Sequence, residues 1–326
     1  MRRIDLHQHW IPPHLSGSEF VRQVREQSGW EFPAENLPWS AEKAIAFMDR
    51  LGTETAILSL TGSPGGNGIG PENREFARRL NEYAAALTRE HPGRFGFFAN
   101  LPIPTDTDAA LVELGHALDV LGADGVNLTS SYGVGEDARY VGHDALDPVW
   151  EELDRREAVV FLHGEQTPSA TRFPSRFVPL PVGNVPAETF KAAADLVTSG
   201  KRRRWPRVRI VLAHAGGSTP FLAARCAGLS HQQGCPLSPE EILEGFAGFY
   251  YETALSGHPL NLTALEGFAA PQRILFGSDF PPITFETAHW YTQAADRFYE
   301  QRPERSAQVM RENALALFPR LAGVAS

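Results

Sequence analysis

The chain has 326 residues, of which 42% are apolar and 21% are charged. This composition is typical of a globular protein, and the length fits one large barrel domain spanning residues 1–326. A net charge of −9 argues against a nucleic-acid-binding surface. No apolar run of about 18 residues is present to span a membrane.

The cysteine content bears on the compartment. Cys226 and Cys235 are too few for a disulfide framework and fit a reducing environment. The first predicted strand begins so close to Met1 that we expect no cleavable signal peptide. We therefore expect a cytoplasmic protein with neither a nucleic-acid nor a membrane partner.

Segments with strand character recur along the chain, and amphipathic helical patterns separate most of them. Several strands are continuous apolar runs, such as Val159-Val-Phe-Leu162, which is typical of parallel strands buried on both faces. The predicted strands are residues 4–7, 55–60, 95–101, 125–128, 158–163, 209–214, 250–255 and 273–279. The predicted helices are residues 41–51, 73–91, 106–121, 148–157, 187–199, 218–227 and 238–245, with a final helical cover over residues 298–321. Strand and helix in alternation over eight strands predict an α/β fold, a closed (β/α)8 TIM barrel.

Two long loops rich in proline and glycine interrupt this alternation. One covers residues 10–39 after the first strand, and the other covers residues 165–186 after the fifth strand. Both follow the carboxyl ends of strands, which is the face where barrel enzymes build their sites. The loops are either tolerated surface insertions or a lid or wall of a pocket.

The first strand ends on two histidines, His7 and His9. Because a strand repeats its side-chain direction every second residue, both imidazoles project from one face. Such a pair is a suitable set of nitrogen ligands for zinc or a similar divalent cation. Taken alone, the pair is also compatible with chance.

Three later strands also end on residues whose side chains can bind a metal ion. The fifth ends at His163, the sixth at His214 and the eighth at Asp279. Because the carboxyl ends of barrel strands share one rim, we expect these side chains to lie beside His7 and His9. Three imidazoles with one carboxylate favour Zn²⁺, Mn²⁺ or Fe²⁺ over Ca²⁺ or Mg²⁺. An open coordination position would hold water or a substrate oxygen.

These motifs, in this order, resemble the amidohydrolase superfamily. They are His7-Gln-His9, His163-Gly164, His214-Ala-Gly-Gly217 and Gly277-Ser-Asp-Phe-Pro281. Over nearly its whole length the chain looks most like the metal-dependent decarboxylase branch. That branch includes aminocarboxymuconate-semialdehyde decarboxylase and the 6-methylsalicylate decarboxylases, and the chain looks closest to the latter.

The resemblance implies a role for each of these positions. His7, His9, His163 and Asp279 match the metal ligands of the family, and His214 matches a histidine that hydrogen-bonds the metal-bound water or the substrate. In binuclear relatives a carboxylated lysine on the fourth strand bridges two metals, and this chain has no lysine there. We therefore expect one divalent metal ion, Zn²⁺ or Mn²⁺, and no organic cofactor.

Arg225 lies eleven residues after His214. In relatives, an arginine at this spacing reaches across a dimer interface to a substrate carboxylate. The resemblance thus implies a homodimer or dimer-based oligomer in which the planar guanidinium of Arg225 binds the substrate. The alternative is a salt bridge on the helix after the sixth strand.

Three further residues are candidate substrate contacts. Relatives often follow the fifth-strand histidine with proline, whereas here Glu165 stands two residues after His163. An ionised Glu165 that faces the pocket would repel an anion or need a cationic partner. Trp10 and Trp39 flank the first insertion and are candidates to pack against a planar ring; burial in the core is the alternative.

Two reactions are compatible with this set of residues. The resemblance favours non-oxidative decarboxylation of an aromatic or conjugated carboxylic acid of the salicylate type, with Asp279, or else His214, delivering a proton to the ring carbon. The alternative is hydrolysis of an amide or lactone, in which Asp279 takes a proton from water and His214 polarises the carbonyl. A barrel that only stores metal or binds a partner needs neither residue, which argues against a non-enzymatic role.

Overall fold

The computed structural model of the protein describes residues 2–12, 18–60, 68–133, 138–165 and 174–323. In chain order the strands are β1 Arg3–His9, β2 Thr53–Ser59, β3 Phe95–Asn100, β4 Gly125–Thr129, β5 Ser131–Tyr132, β6 Arg139–Tyr140, β7 Val159–His163, β8 Arg209–Leu212, β9 Tyr250–Glu252 and β10 Ile274–Leu275. The helices are α1 Ser18–Ser28, α2 Ala41–Leu51, α3 Pro71–Glu90, α4 Thr107–Asp119, α5 Asp147–Arg155, α6 Leu180–Thr198, α7 Lys201–Arg204, α8 Thr219–Gln232, α9 Pro239–Ala247, α10 Pro259–Glu266, α11 Phe285–Tyr299, α12 Pro303–Ala307 and α13 Asn313–Leu317.

Eight of these strands form one parallel sheet in the order β1-β2-β3-β4-β7-β8-β9-β10. Backbone hydrogen bonds then join the last strand region to the first. Leu6 N–H donates to the carbonyl of Phe276 at 3.0 Å, Asp279 N–H to that of His7 at 2.8 Å, and His9 N–H to that of Phe280 at 2.6 Å. The predicted (β/α)8 barrel is therefore confirmed. β5 and β6 pair separately as a short antiparallel hairpin.

Apolar side chains fill the inside of the barrel below the rim. The rings of Phe98 and Phe161 stack there with centroids 5.3 Å apart, among aliphatic side chains such as Leu6. Leu317 and Phe318, at the end of α13, join the same cluster near the amino ends of β4 and β7. Because this packing occupies the lower barrel, the carboxyl rim is the place for a ligand.

The two insertions contain more helix than the sequence predicts. The first contains α1, and the second ends in α6, which begins at Leu180 rather than at residue 187. Pro181 sits in the first turn of α6, where a backbone N–H has no helical partner. Pro186 lies inside the same helix, whereas the sequence pattern predicts that it ends the loop before the helix.

The basic run that begins at Lys201 predicts a solvated helix end. It forms the short helix α7, but Lys201 itself is buried. Its side chain is only 7% exposed, and its ammonium group donates to Asp144 at 2.6 Å and to Asp147. Two carboxylates compensate the charge and so permit this burial. No helix in the described ranges is both long and apolar enough to cross a membrane.

Candidate metal centre

The side chains that end the first and last barrel strands meet at the rim. The Nε2 atoms of His7 and His9 lie 2.9 Å apart. Asp279 Oδ1 lies 3.0 Å from His9 Nε2 and 3.3 Å from His7 Nε2. Three polar atoms from two neighbouring strands thus converge on one small volume.

His163 and His214 complete the cluster from β7 and from the turn after β8. Their ring centroids lie 5.1 Å apart, and those centroids lie 5.3 and 4.7 Å from that of His7. His214 Nε2 lies 3.4 Å from Asp279 Oδ2. All the side chains predicted for the metal site and for proton transfer are therefore buried at one rim.

The outer nitrogen of each proposed histidine ligand has a partner of its own. Nδ1 of His163 donates to the carbonyl of Gly164 at 2.8 Å, so Nε2 is left as an acceptor in the neutral ring. Nδ1 of His9 lies 3.1 Å from Ser59 Oγ, and Nδ1 of His7 lies 2.8 Å from Glu252 Oε1.

The centre fits a divalent metal by the chemistry of its donors. Ligand atoms of His7, His9 and Asp279 lie within 4.8 Å of one another, as do those of His7, His163 and His214. Imidazole nitrogens held by outer hydrogen bonds, with one carboxylate, form the usual ligand environment of zinc and manganese sites.

Burial and charge set opposite protonation states within the cluster. Burial alone would lower the pKa of His7, but the carboxylates of Glu252 and Asp279 outweigh it and raise that pKa to about 10. Burial, together with the neighbouring imidazoles, holds the pKa of His163 well below its usual value. Burial would raise the pKa of Asp279, yet the surrounding histidines hold it well below its usual range. Asp279 is therefore ionised, and His163 is neutral.

The residue that sequence reasoning missed is Glu252. It ends β9, is fully buried and contacts His7 directly. An acidic residue at the end of a buried strand, after Tyr250 and Tyr251, is the pattern that points to it.

The two candidate proton-transfer residues share an uncommon backbone conformation. His214 has φ 55° and Asp279 has φ 71°, both in the left-handed region. Non-glycine residues rarely occupy this region, at a cost of about 1–3 kcal/mol each, and they cluster at functional sites. The backbone turns at these two positions at the rim instead of extending the strands.

A cavity of about 380 Å³ opens above the cluster. His9, His163, His214 and Asp279 line it together with mostly apolar side chains. The described parts of both insertions supply walls: Val24, Trp30 and Phe32 from the first, and Pro181, Val182, Val185 and Pro186 from the second and from α6. The remaining lining residues are Gly217, Leu255, Ser256, Asn261, Pro282, Ile283, Thr287 and Tyr291. The described parts of both insertions thus lie where a pocket wall is expected, which agrees with the second of the two interpretations of these loops.

The structure does not bring the other predicted substrate contacts into this cavity. Trp10 is buried in the core and stacks on Tyr83 with ring centroids 5.2 Å apart, and Trp39 is also buried there. Both indoles are buried in the core, which is the alternative stated for them. They are therefore not part of the proposed substrate site. Glu165 is not among the residues that line the cavity. Its backbone N–H donates to Ser130 Oγ at 2.8 Å. Arg225 is exposed on α8.

A metal-ligand cluster under an apolar cavity, at the carboxyl end of a parallel barrel, defines a metal-dependent barrel enzyme. The sequence profile of the amidohydrolase family matches residues 4–320. The chain therefore belongs to the amidohydrolase family, which confirms the resemblance stated from its motifs.

Relatives of known name extend this assignment. A decarboxylase of Aspergillus niger, yanB, is 41% identical over 98% of this chain and 88% of its own length. The 6-methylsalicylic acid decarboxylase of Penicillium expansum is 40% identical over 99% of this chain and 98% of its own length. A dihydroxybenzoic acid decarboxylase from Polaromonas, solved with manganese and the inhibitor 2-nitroresorcinol, superposes with a TM-score of 0.79 at 23% identity, covering 97% of this chain and 96% of that one.

Proposed function

We propose that this protein is a metal-dependent decarboxylase of an aromatic carboxylic acid with a hydroxyl group next to the carboxylate. The observation that carries the proposal is the convergence of His7, His9, His163 and Asp279 beneath a mostly apolar cavity. The names of the relatives that are about 40% identical over nearly the full chain support the same reaction.

The cavity suits one planar ring held by its charged end. Its volume of about 380 Å³ lies in the lower part of the range of small-molecule sites. Val185 and Ile283 are buried apolar residues of its wall, whereas the imidazole and carboxylate groups among its lining residues all belong to the metal cluster. An aromatic acid therefore binds with its carboxylate and hydroxyl toward the cluster and its ring against the apolar walls.

We assign the metal as Zn²⁺ or Mn²⁺, held by His7, His9, His163 and Asp279. When bound, it supplies a positive charge that orients the carboxylate and the adjacent oxygen and stabilises negative charge on them. The manganese in the Polaromonas relative supports Mn²⁺ as the first metal to test. No organic cofactor is required, because the electrons stay within the substrate.

Asp279 moves the proton. Its carboxylate is ionised and accepts the phenolic proton of the entering substrate, whose hydroxyl would become more acidic beside the cation. It then delivers this proton to the ring carbon that bears the carboxylate. The bond from that carbon to the carboxylate breaks, CO₂ leaves, and the bonding electron pair returns to the ring. The product leaves as a phenolate that solvent protonates.

His214 is the second candidate for proton transfer. Its Nε2 lies 3.4 Å from Asp279 Oδ2, close enough to orient that carboxylate or to exchange a proton with it as the two groups approach. We propose that it positions Asp279 and the substrate oxygen during turnover.

We further propose that the protein is a homodimer in which Arg225 binds the carboxylate of a substrate held by the neighbouring subunit. Arg225 is exposed and does not line the cavity of its own chain. Among the described residues that line the cavity there is no lysine or arginine. A cation from a second subunit would supply the charge that an anionic substrate needs.

A cytoplasmic location completes the proposal. Cys226 and Cys235 are both free thiols in the structure, as expected in a reducing compartment.

The test is direct assay of CO₂ release. Protein reconstituted with Mn²⁺ or Zn²⁺ is incubated in D₂O with salicylate-type acids that carry ¹³C in the carboxyl group. We expect ¹³CO₂ and a phenol with one deuterium at the carbon that lost it, and no product after chelation. A parallel panel of lactones and amides tests hydrolysis. Ring opening or amide cleavage with no ¹³CO₂ from any acid would overturn decarboxylation in favour of the hydrolase alternative.

A further inference from the structure

Glu252 is a fully buried carboxylate with three hydrogen-bond donors around it. Its Oε1 accepts from Nδ1 of His7 at 2.8 Å and from the backbone N–H of His214 at 2.5 Å. Its Oε2 accepts from the backbone N–H of Ala254 at 2.7 Å. One side chain thus joins β1, β9 and the turn after β8.

Gly277 leaves the space that this carboxylate occupies. A Cβ atom at position 277 would lie 2.0 Å from Glu252 Oε2, which is well inside van der Waals contact. Gly277 opens the motif that follows β10 and contains Asp279. The glycine in that motif therefore has a physical explanation: the carboxylate of Glu252 passes beside it.

Toward His7, the carboxylate fixes the ring. Because Glu252 accepts from Nδ1, it selects the tautomer in which Nε2 of the neutral ring is an acceptor that faces His9 and Asp279. A carboxylate in this relation to a ligating histidine raises the basicity of the ligand and holds its orientation.

Toward His214, the carboxylate holds the backbone. His214 and Ala215 both have φ 55°, a conformation that is unfavourable for residues with a Cβ. The charge-assisted bond from His214 N–H to Glu252 compensates this cost. It places the imidazole so that Nε2 lies 3.4 Å from Asp279.

We propose that Glu252 is a positioning residue that sets both halves of the site, the metal-binding face through His7 and the proton-transfer face through His214. The role of Glu252 toward His7 concerns metal binding alone. Its role toward His214 rests on the proposed function, because only turnover reports on proton transfer.

The test replaces Glu252 with glutamine, which keeps the shape but removes the charge and the acceptor for Ala254. We expect the Kd for Mn²⁺, measured by electron paramagnetic resonance of free Mn²⁺, to weaken roughly 10- to 100-fold. The visible absorption of the Co²⁺-loaded variant should also shift, since the His7 ligand is reoriented. At saturating Mn²⁺ we expect kcat for CO₂ release to stay at least about tenfold below wild type with KM little changed, because the bond that holds the backbone of His214 loses its charge.

Glu113→Gln is the matched control. Glu113 is also a buried glutamate, but it binds Arg78 at 2.6 Å and Asn81 at 2.7 Å between α3 and α4 rather than a residue of the metal centre. This variant should lose stability while keeping wild-type Mn²⁺ affinity and a wild-type Co²⁺ spectrum. If Glu252→Gln does not fold, Glu252→Asp is the second variant, because it keeps the charge but withdraws it by one methylene group. We expect the same losses of Mn²⁺ affinity and of kcat.

The outcomes separate the two proposals. Wild-type Mn²⁺ affinity and Co²⁺ spectrum in the Glu252 variants would overturn the metal-binding half. Full recovery of kcat at saturating Mn²⁺ would overturn the proton-transfer half. If wild-type protein releases no CO₂ from any aromatic acid and Glu252→Gln still loses Mn²⁺ affinity, the proposed function fails and the positioning role at His7 stands.

Discussion

Asp279 combines two tasks in one side chain. Its Oδ1 faces the Nε2 atoms of His7 and His9, and its Oδ2 faces His214. The two oxygens therefore point to different halves of the site, one toward the metal ligands and the other toward the proton-transfer partner. A substitution that keeps the first contact and removes the second separates the two tasks.

Asp279→Asn is that substitution. Asparagine keeps an oxygen for the metal but cannot carry the proton, so we expect kcat to fall roughly 10²- to 10⁴-fold at saturating metal. Turnover is measured by CO₂ release, and metal content by elemental analysis of the same sample. The control is His143→Asn, an exposed residue whose side chain bonds only the backbone of Ala145 among the described residues. An Asp279→Asn protein with bound metal and wild-type kcat would remove Asp279 from the chemistry.

At the scale of elements, the best-predicted boundaries are those with local capping chemistry. α2 occupies the predicted residues 41–51 because Ser40 accepts from the N–H of Lys43 at one end and Gly52 adopts φ 75° at the other. The ends of β8 and β10 were harder to predict. Those strands stop at Leu212 and Leu275 because the chain then turns through His214 and Asp279 to aim their side chains at the site.

Arg225 is exposed on α8. The proposal that it acts on the site of the neighbouring subunit can be tested by subunit complementation. Arg225→Ala and Asp279→Asn should each be nearly inactive alone. In a mixed dimer, the site that keeps Asp279 receives Arg225 from the other subunit. Co-expression should therefore restore about a quarter of wild-type activity, the statistical share of intact sites in a two-fold dimer. No recovery, with dimers confirmed by light scattering, would place the action of Arg225 within its own chain; full activity of Arg225→Ala alone would end the proposal.

α7 offers a prediction about stability. Lys201→Met keeps the apolar stem but leaves the carboxylates of Asp144 and Asp147 without their shared ammonium group. We expect the protein to lose about 1 kcal/mol of unfolding free energy, mainly through Asp147, because Asp144 is exposed to solvent and Asp147 keeps its contact with Arg204. Arg203→Ala removes an exposed ion pair between α7 and Glu241 of α9 and should leave stability unchanged. Urea denaturation with equal m-values measures both; equal midpoints for Lys201→Met and wild type would show that α7 is only a solvated end.

For the whole molecule, strand order and the rim cluster were predictable from the sequence because each depends on a short pattern repeated along the chain. Apolar runs locate parallel strands, and parallel strands present their carboxyl ends together. Glu252 was missed because its role depends on the space beside Gly277, which only the packed barrel reveals. Trp10 could not be placed from the sequence because a flanking aromatic residue packs equally well inward or toward a ligand, and its contact with Tyr83 is set by tertiary structure.

The charge balance of the rim links metal binding to the stability of the whole protein. In metal-free protein the pKa of His7 is about 10, against 6.5 for an ordinary histidine. Because the folded value is the higher one, the stabilising effect of the His7 imidazolium is fully present below pH 6.5 and is lost as the pH rises to about 10. Metal binding must displace this proton, so metal affinity changes in the opposite direction and tightens over the same window.

Urea denaturation with a chelator, at several pH values across this window, tests the linkage. The unfolding free energy of wild-type protein should decrease with pH relative to that of His7→Asn, which cannot titrate at this position, and the Mn²⁺ Kd of wild type should tighten in parallel. Two parallel stability curves, together with a Kd that does not change with pH, would show that His7 is already neutral in the metal-free fold. The carboxylates of Glu252 and Asp279 would then be compensated by some other charge.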